Sequence, residues 1–481
     1  MNEKISGPDS GMLPDWTVIG FTGHRNLGDQ EAAAQSISAA LDALTARFGS
    51  ISAISSLAKG SDTAFVRELA RRKIPFRLVL PFPKERFMAD FEPKDWQDVE
   101  PLLTQAIQVE EVTGTESDEE AYMDAGIRIV DLADVIVAVW DGQPADGLGG
   151  TGDVVSYARA LHKPLQCLNP VTGEETEERY EQLPKNARVA GWNGAPRLAV
   201  EKRFQQLDTS ASHDAPAARG LIHHIVLLHL AASAAGLIVL SLDIQGAAGY
   251  ILGALEVVLL GTALLLTIRH HRKHEQWIRT RIEAEICRSF LATWPVRTKI
   301  TRLPKLAIQG FERIMRNLQL AQQMDRSPLS SLECACHEYL HGRVEDQIVY
   351  FTRQGQEAQS SLRRLRRLAI ASTTTAALLA LVHFVVEFFG LEGTAVRLTG
   401  LLSITLPLVS AALLSLILTQ EYSRRASRNR EMVLMLGEAA ERLNAVRTWN
   451  GLAHIAIETE EGLLNEAVEW HSFSQFVSQP H

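Results

Sequence analysis

The chain has 481 residues, too many for one hydrophobic core, so two or three domains are expected. Its formal net charge of −9 argues against a nucleic-acid binder, because phosphate contacts need a concentrated basic surface rather than an acidic excess. The averaged composition is that of a soluble protein, with 22% charged residues and a mean hydropathy of −0.02, so only local windows can reveal a membrane region.

Residues 1–14 form a polar tail with no apolar run, which leaves no cleavable signal peptide and starts the chain in the cytoplasm. From Trp16 to Pro170, short β-branched runs alternate with helical patterns. The expected strands are Thr17 to Phe21, Ile51 to Leu57, Phe76 to Phe82, Ile107 to Val112, Val135 to Trp140 and Pro164 to Leu168. Between them Glu31 to Arg47, Asp62 to Lys73, Asp118 to Leu132 and Asp153 to Leu161 have helical periodicity and open near Gly, Ser or Asp. The alternation predicts an α/β, Rossmann-like domain built on a parallel sheet over residues 15–172.

Ligands of such a sheet lie at the carboxyl ends of its strands. The first strand is followed by Thr22, Gly23, His24 and Arg25, a loop whose glycine lets backbone approach a ligand and whose arginine offers a fork for phosphate or carboxylate. The second leads into Lys59, Gly60, Ser61 and Asp62. The fifth ends in Trp140, Asp141 and Gly142, and runs through Gly147, Gly149, Gly150, Thr151 and Gly152 into a helix at Asp153, the form of a phosphate cradle. Trp140 could stack on a base and Asp141 could accept from a ribose hydroxyl. Each loop alone is equally an ordinary turn, but their common edge points to a nucleotide or phosphorylated-ribose site. Neither a Walker A sequence nor a GxGxxG fingerprint is present, which argues against an ATPase or a hydride-transfer enzyme.

Residues 173–218 are polar and read as a linker or surface helices. Four windows then reach spanning length, Leu221 to Leu242, Ala247 to Ile268, Leu368 to Phe389 and Leu398 to Thr419, forming two hairpins with short connections. Their other ends are basic, with Arg269, Arg272 and Lys273, then Arg363, Arg364, Arg366 and Arg367, then Arg424, Arg425, Arg428 and Arg430. The positive-inside rule places these ends and both termini in the cytoplasm. Glu256 lies near mid-membrane, where it either lines a water-filled path, as a pore candidate, or sits protonated against a neighbouring helix. Residues 269–365 and 424–472 have long helical patterns broken mainly at Pro295, Pro304 and Pro328, and are too charged for lipid. Packing is the simplest reading of Trp277, Tyr339, Tyr350 and Trp470. The four cysteines fit neither a disulfide framework nor a zinc site; Cys334, Cys336 and His337 read as helix surface, and no metal is expected.

The stretches Gly20 to Arg25, Ser55 to Asp62, Val79 to Pro83, Asp134 to Gly142 and Gly149 to Ala158 together resemble the SLOG superfamily, named for the Smf/DprA and lonely-guy proteins. That resemblance covers about residues 15 to 172 and implies a Rossmannoid fold that binds nucleotides or their derivatives. Trp277, Arg281 and Glu285, and then Tyr339, Arg343 to Ile348 and Tyr350, look like the cytoplasmic motifs of SLATT domains, two-transmembrane effectors associated with SLOG proteins in bacterial conflict systems. The resemblance implies a nucleotide sensor joined to tandem hairpins that perturb the membrane. One departure matters: lonely-guy enzymes carry PGGxGTxxE with a catalytic glutamate, whereas this loop reads GLGGTGDVV. Binding is therefore expected before hydrolysis.

The resulting plan is a tail (1–14), a SLOG-like nucleotide-binding domain (15–172), a linker (173–218), a first hairpin with cytoplasmic helix (219–300), a helical connector (301–365) and a second hairpin with carboxy-terminal helices (366–481). The expected ligand is a nucleotide or an ADP-ribose-like second messenger, with no cofactor; the expected partners are the bacterial inner membrane and further copies of the chain. The function implied is ligand-gated membrane damage in antiphage defence. The alternative is a membrane-anchored enzyme that hydrolyses an N-glycosidic or phosphate bond of a nucleotide, with Asp141 and Asp153 as the available acids.

Overall fold

The computed structural model describes residues 13–26, 28–145, 147–183, 195–297, 311–390 and 393–478, with side chains throughout except at 215–219, 270–274 and 470–478. Arg272, Lys273, Trp470 and the segment around Pro304 thus lie outside the described side chains. Two compact units emerge, one of residues up to Lys202 with Glu312–Pro328, the other of Arg203–Ile300 with Leu329–His481.

The first unit is α/β. Strands β1 (Thr17–Gly23), β2 (Ile51–Ser55), β3 (Phe76–Leu80), β4 (Gln108–Glu111), β5 (Val135–Val139), β6 (Leu165–Leu168) and β7 (Glu175–Glu178) form one sheet in the order β4-β3-β2-β1-β5-β6-β7. Every pairing is parallel except that of β7 with β6. Strands β2, β3 and β5 are buried along their whole length, which explains unbroken apolar runs instead of alternation. The helices between strands are α1 (Gln30–Phe48), α2 (Ser61–Arg72), α3 (Lys84–Phe87), α4 (Pro93–Gln105), α5 (Asp118–Leu132) and α6 (Thr151–Ala160). Two starts are capped by side chains: Asp29 accepts from the amides of Glu31 and Ala32, and Ser117 from that of Glu120. Phe21 stacks on Phe65 at 4.1 Å, joining β1 to α2 in the core.

The sheet differs from the sequence reading at its edge. Glu175–Glu178, read as linker or surface helix, is an antiparallel strand. An all-polar, charged run suits an exposed edge strand, and Arg159 of α6 anchors it through Glu178 at 2.6 Å.

The second unit is helical. Helix α7 (Pro196–Ser241) turns back through a short link into α8 (Ala247–Ala292). The next helix, α9 (Glu312–Met324), belongs instead to the sheet unit, although the sequence pattern placed it in a separate connector. Its polar residues meet the amino-terminal edge of the sheet. Arg313 and Asn317 bond Asp15 at 2.7 and 2.8 Å, and Arg316 bonds both carboxylate oxygens of Asp134 at 2.7 Å. Gln323 bonds Gln108, and Arg326 the Ala106 carbonyl. Asp134 also accepts the Val18 amide at 2.9 Å, so one carboxylate ties α9 to β1.

Helix α10 (Leu332–Tyr339) opens on a Ser331 cap and passes through a π-helical turn, Leu340–Glu345, into α11 (Asp346–Phe388). Helices α12 (Thr394–Thr419), α13 (Tyr422–Ala445) and α14 (Trp449–Ser478) complete the unit. Among the described residues, four helices are long and apolar enough to cross a membrane, at Gly220–Ser241, Ala247–Arg269, and within Leu332–Phe388 and Thr394–Ala445. Leu227, Ile251, Val257, Leu265, Leu381, Phe384 and Leu418 are exposed along them, more apolar surface than a soluble protein leaves in water.

Beyond the apolar runs, a buried polar network holds the helices. Glu460 of α14 accepts from Arg343 at 2.6 and 2.9 Å, from Tyr339 at 3.0 Å and from Ser289 of α8 at 2.6 Å. The π-helical turn thus presents Arg343 to a carboxylate on one helix and a hydroxyl from another. Nearby, Trp277 donates to the Ala211 carbonyl, and Arg281 and Arg288 of α8 share Asp208 of α7. Burial pushes the Glu285 carboxyl up, but Arg281, Arg288 and Arg343 overcome it and hold the group below its ordinary value.

Candidate functional site

The carboxyl edge of the sheet is assembled by its two central strands. Because Gly23 pairs with Val139, β1 and β5 end level, and the chain leaves both at the same height. The His24 amide caps the ladder on the Val139 carbonyl at 3.1 Å. This brings His24 Nε2 to 3.0 Å from Asp141 Oδ1 and 3.2 Å from the Asp141 amide nitrogen. Protonated, that nitrogen donates to the carboxylate; bare, it accepts the amide. Gln143 donates its amide to Asp141, and this bond, with the His24 contact second, holds the half-buried Asp141 carboxyl below its ordinary value.

The loop after β2 joins the same cluster from the other side. Ser61 donates through its amide and its hydroxyl to the His24 carbonyl, at 3.2 and 2.9 Å. Gly60 lies at φ +99, and a Cβ there would come within 2.3 Å of the Arg25 carbonyl oxygen. Behind them, buried Asp62 accepts from the hydroxyls of Ser55 and Ser56 at 2.9 Å and from the amides of Ser56 and Gly23. Burial outweighs these bonds and pushes its carboxyl up to about 6. Asp62 therefore pins the β1 and β2 loops together from beneath the edge, rather than facing outward.

The glycine-rich loop before α6 folds mainly against its own neighbours. A Cβ at Gly149, which has φ +84, would meet the Glu119 carbonyl and the Met123 amide at 2.7 Å, and one at Gly152 would meet the Ala145 amide at 3.0 Å. Asp153 Oδ2 accepts the Gly149 amide at 3.1 Å, so this carboxylate shapes the loop. Thr151 and Gly152 are buried at the helix start. Trp140 spends its N–H on the Gln143 carbonyl at 2.8 Å and carries the Arg159 guanidinium 5.2 Å from its ring centroid.

The structure thus joins Gly23, His24, Arg25, Gly60, Ser61, Asp62 and Asp141 in one cluster, with Thr22 as the last half-buried step of β1 before it. Lys59 is exposed beside this cluster in sequence, and Gly142 forms the open turn after Asp141 at φ +88. Tyr122 of α5 is the link that the sequence pattern did not single out. Arg25 stacks 4.2 Å over its ring, Phe82 meets its edge at 5.5 Å, its hydroxyl donates to Asp90, and its own turn of helix backs Gly149. Arg86 then holds Asp90 at 2.7 Å and also bonds Asp118. The strand-plus-helix spacing placed these residues at the right edge, but nothing in a lone tyrosine within an acidic helix start marks it as a platform for an arginine. Chemically, this edge offers the exposed Arg25 guanidinium and the hydrogen-bonded His24–Asp141 pair, whose carboxylate is held ionised.

In the membrane region Glu256 lies against Gly236 of the neighbouring helix, whose Cβ would come within 3.0 Å of the carboxylate. His383 packs in the same manner against Gly400, with Thr399 Oγ1 at 3.4 Å. Each hairpin therefore sets a polar side chain on a glycine of its partner helix.

No curated protein matches the chain. One family model does: residues 339–470, from the π-helical turn through the second hairpin and into α14, match SLATT_1, the SMODS and SLOG-associating 2TM effector domain 1, and the chain carries that two-transmembrane effector domain there.

Proposed function

We propose that this protein is a ligand-gated membrane effector. On this reading the α/β unit binds a nucleotide or ADP-ribose-like second messenger at the carboxyl edge of its sheet. The hairpins, with their basic ends in the bacterial cytoplasm, then rearrange within a homo-oligomer and make the inner membrane leak, as a defence against phage. The observation that carries it is the presence of a 2TM effector domain in the same chain as a sheet edge where Arg25, His24 and Asp141 converge. The SLOG-like motif order of residues 15 to 172 supports the choice of ligand class. A ligand moves an equilibrium only through its differential affinity for two states, so the loops it contacts must also be held by elements that move. Arg25 rests on the Tyr122 ring of α5, so a ligand that draws its guanidinium away would release that contact. Equilibrium binding of a nucleotide panel to the full chain tests the first step. One ligand should bind, and Arg25→Ala should weaken it about tenfold or more, as loss of a charge-assisted phosphate contact does.

The His24–Asp141 pair favours one second reading, hydrolysis of the bound nucleotide, with His24 as general base held by Asp141. Release of free base or phosphate that is abolished in Asp141→Asn would select the enzyme; an intact ligand after prolonged incubation would select the sensor.

A further inference from the structure

Arg363, Arg364, Arg366 and Arg367 fill one stretch of α11 with only Leu365 among them, directly before the apolar run that opens at Leu368. All four are exposed, and none has a carboxylate partner among the described residues. Other arginines of the helical unit do find carboxylates: Arg343 meets Glu460 at 2.6 Å, Arg442 meets Glu458 at 2.8 Å, Arg353 meets Glu357 at 3.5 Å and Arg428 meets Glu466 at 3.6 Å. The four at the start of the apolar run also sit at i,i+3 and i,i+4 spacings, where like charges on a helix repel. A chain of net charge −9 has carboxylates to spare, yet none is placed here. The counter-ion must therefore come from outside the chain.

Guanidinium forks match the oxygens of a phosphate, so a phosphate-bearing partner suits them. Its position decides the source. Leu368 and Ile370, immediately next in sequence, are exposed apolar side chains of the spanning stretch, so the four arginines stand where hydrocarbon gives way to headgroups. We propose that Arg363, Arg364, Arg366 and Arg367 form a collar that binds anionic phospholipid headgroups and favours them over zwitterionic ones. This goes beyond the ligand-gating reading and stands whether or not the α/β unit binds a nucleotide.

The test uses the full chain in detergent, with phosphatidylglycerol or phosphatidylcholine added back at about 0.15 M salt, and reads retained lipid by native mass spectrometry. Wild type should retain phosphatidylglycerol at least about tenfold over phosphatidylcholine, given the usual gain per basic residue at an anionic surface. The variant with all four changed to Gln should fall to parity, while the four-Lys variant, which keeps charge without the fork, should hold an intermediate preference. If the four-Gln variant does not fold, Arg363→Gln and Arg366→Gln singly should each lose preference several-fold. Equal retention of both lipids by wild type, or an undiminished preference in the Gln variants, would overturn the proposal. So would inorganic pyrophosphate binding to the collar in phosphatidylcholine as tightly as phosphatidylglycerol does, because the occupant would then come from solution.

Discussion

At the scale of single residues, Asp62 makes the sharpest statement about the candidate edge. Its carboxyl is pushed up to about 6 from an ordinary 3.8, so the folded chain holds this proton more tightly than the unfolded one. The sign follows: Asp62 favours folding at low pH and withdraws that contribution as pH rises from about 4 through about 6, by about 3 kcal/mol for a shift of this size. Asp62→Asn, which keeps an acceptor for the two serines, should flatten that part of the profile. The check is the difference between wild-type and variant melting temperatures from pH 4 to 7.5, followed by tryptophan fluorescence; parallel curves would show that Asp62 does not titrate in this window. The glycines divide as sharply. Gly60→Ala forces a Cβ into the Arg25 carbonyl at a left-handed φ and should cost more than about 2 kcal/mol, whereas Gly147→Ala meets only the end of Glu119 at 3.6 Å and should be near neutral. Chemical denaturation of both variants tests the contrast. The sequence reading placed Gly60 in a small-residue loop beside a cation; the structure shows that the Arg25 backbone crowds that position. Asp62 and Tyr122 could not be read that way: burial and stacking are properties of the assembled fold.

At the scale of elements, the central strands were legible because burial on both faces leaves unbroken runs such as Val135–Val139 with no other plausible identity. β7 was not, because an edge strand of Glu and Thr carries no hydrophobic signal and exists only by pairing with β6. Helix α9 was recognisable as helical, but its placement on the sheet unit depends on partners roughly two to three hundred positions away in sequence. Removing its central contact gives a direct measure of that docking. Arg316→Ala should cost about 1–3 kcal/mol and speed amide hydrogen exchange across 312–324, while leaving the β1 and β5 loops unchanged; unaltered exchange there would show that the remaining contacts of α9 hold it without Arg316. The buried network around Glu460 should be less forgiving. Glu460→Ala strands Arg343 in the interior and should destabilise the helical unit by about 3–5 kcal/mol, read as a lowered melting temperature in detergent. A loss within 1 kcal/mol would mean that water reaches Arg343 once the carboxylate is gone.

At the scale of the whole molecule, one chain joins a mostly parallel α/β unit to a helical unit with four membrane-length helices, and a 2TM effector domain occupies the second hairpin. Hydropathy and flanking charge made the membrane half plain in the sequence, since few soluble helices combine spanning length with basic ends. The ligand and the assembly were not legible, because affinity for one nucleotide rests on a handful of loop contacts and oligomerisation on exposed faces that look alike in any spanning helix. Four helices from one protomer can hardly enclose a wide path, so the proposed leakage calls for several copies, and ligand should shift the size distribution upward together with the activity. The proposed gating is that ligand binding at the sheet edge opens the membrane. Its most direct test is dye release from liposomes holding the purified full chain, titrated with adenine nucleotides, ADP-ribose derivatives and cyclic dinucleotides. Release that needs one of these ligands and is lost in both Arg25→Ala and Gly60→Ala proteins that remain folded is the expected result. A ligand that binds tightly to the wild-type chain while the liposomes stay sealed would contradict it.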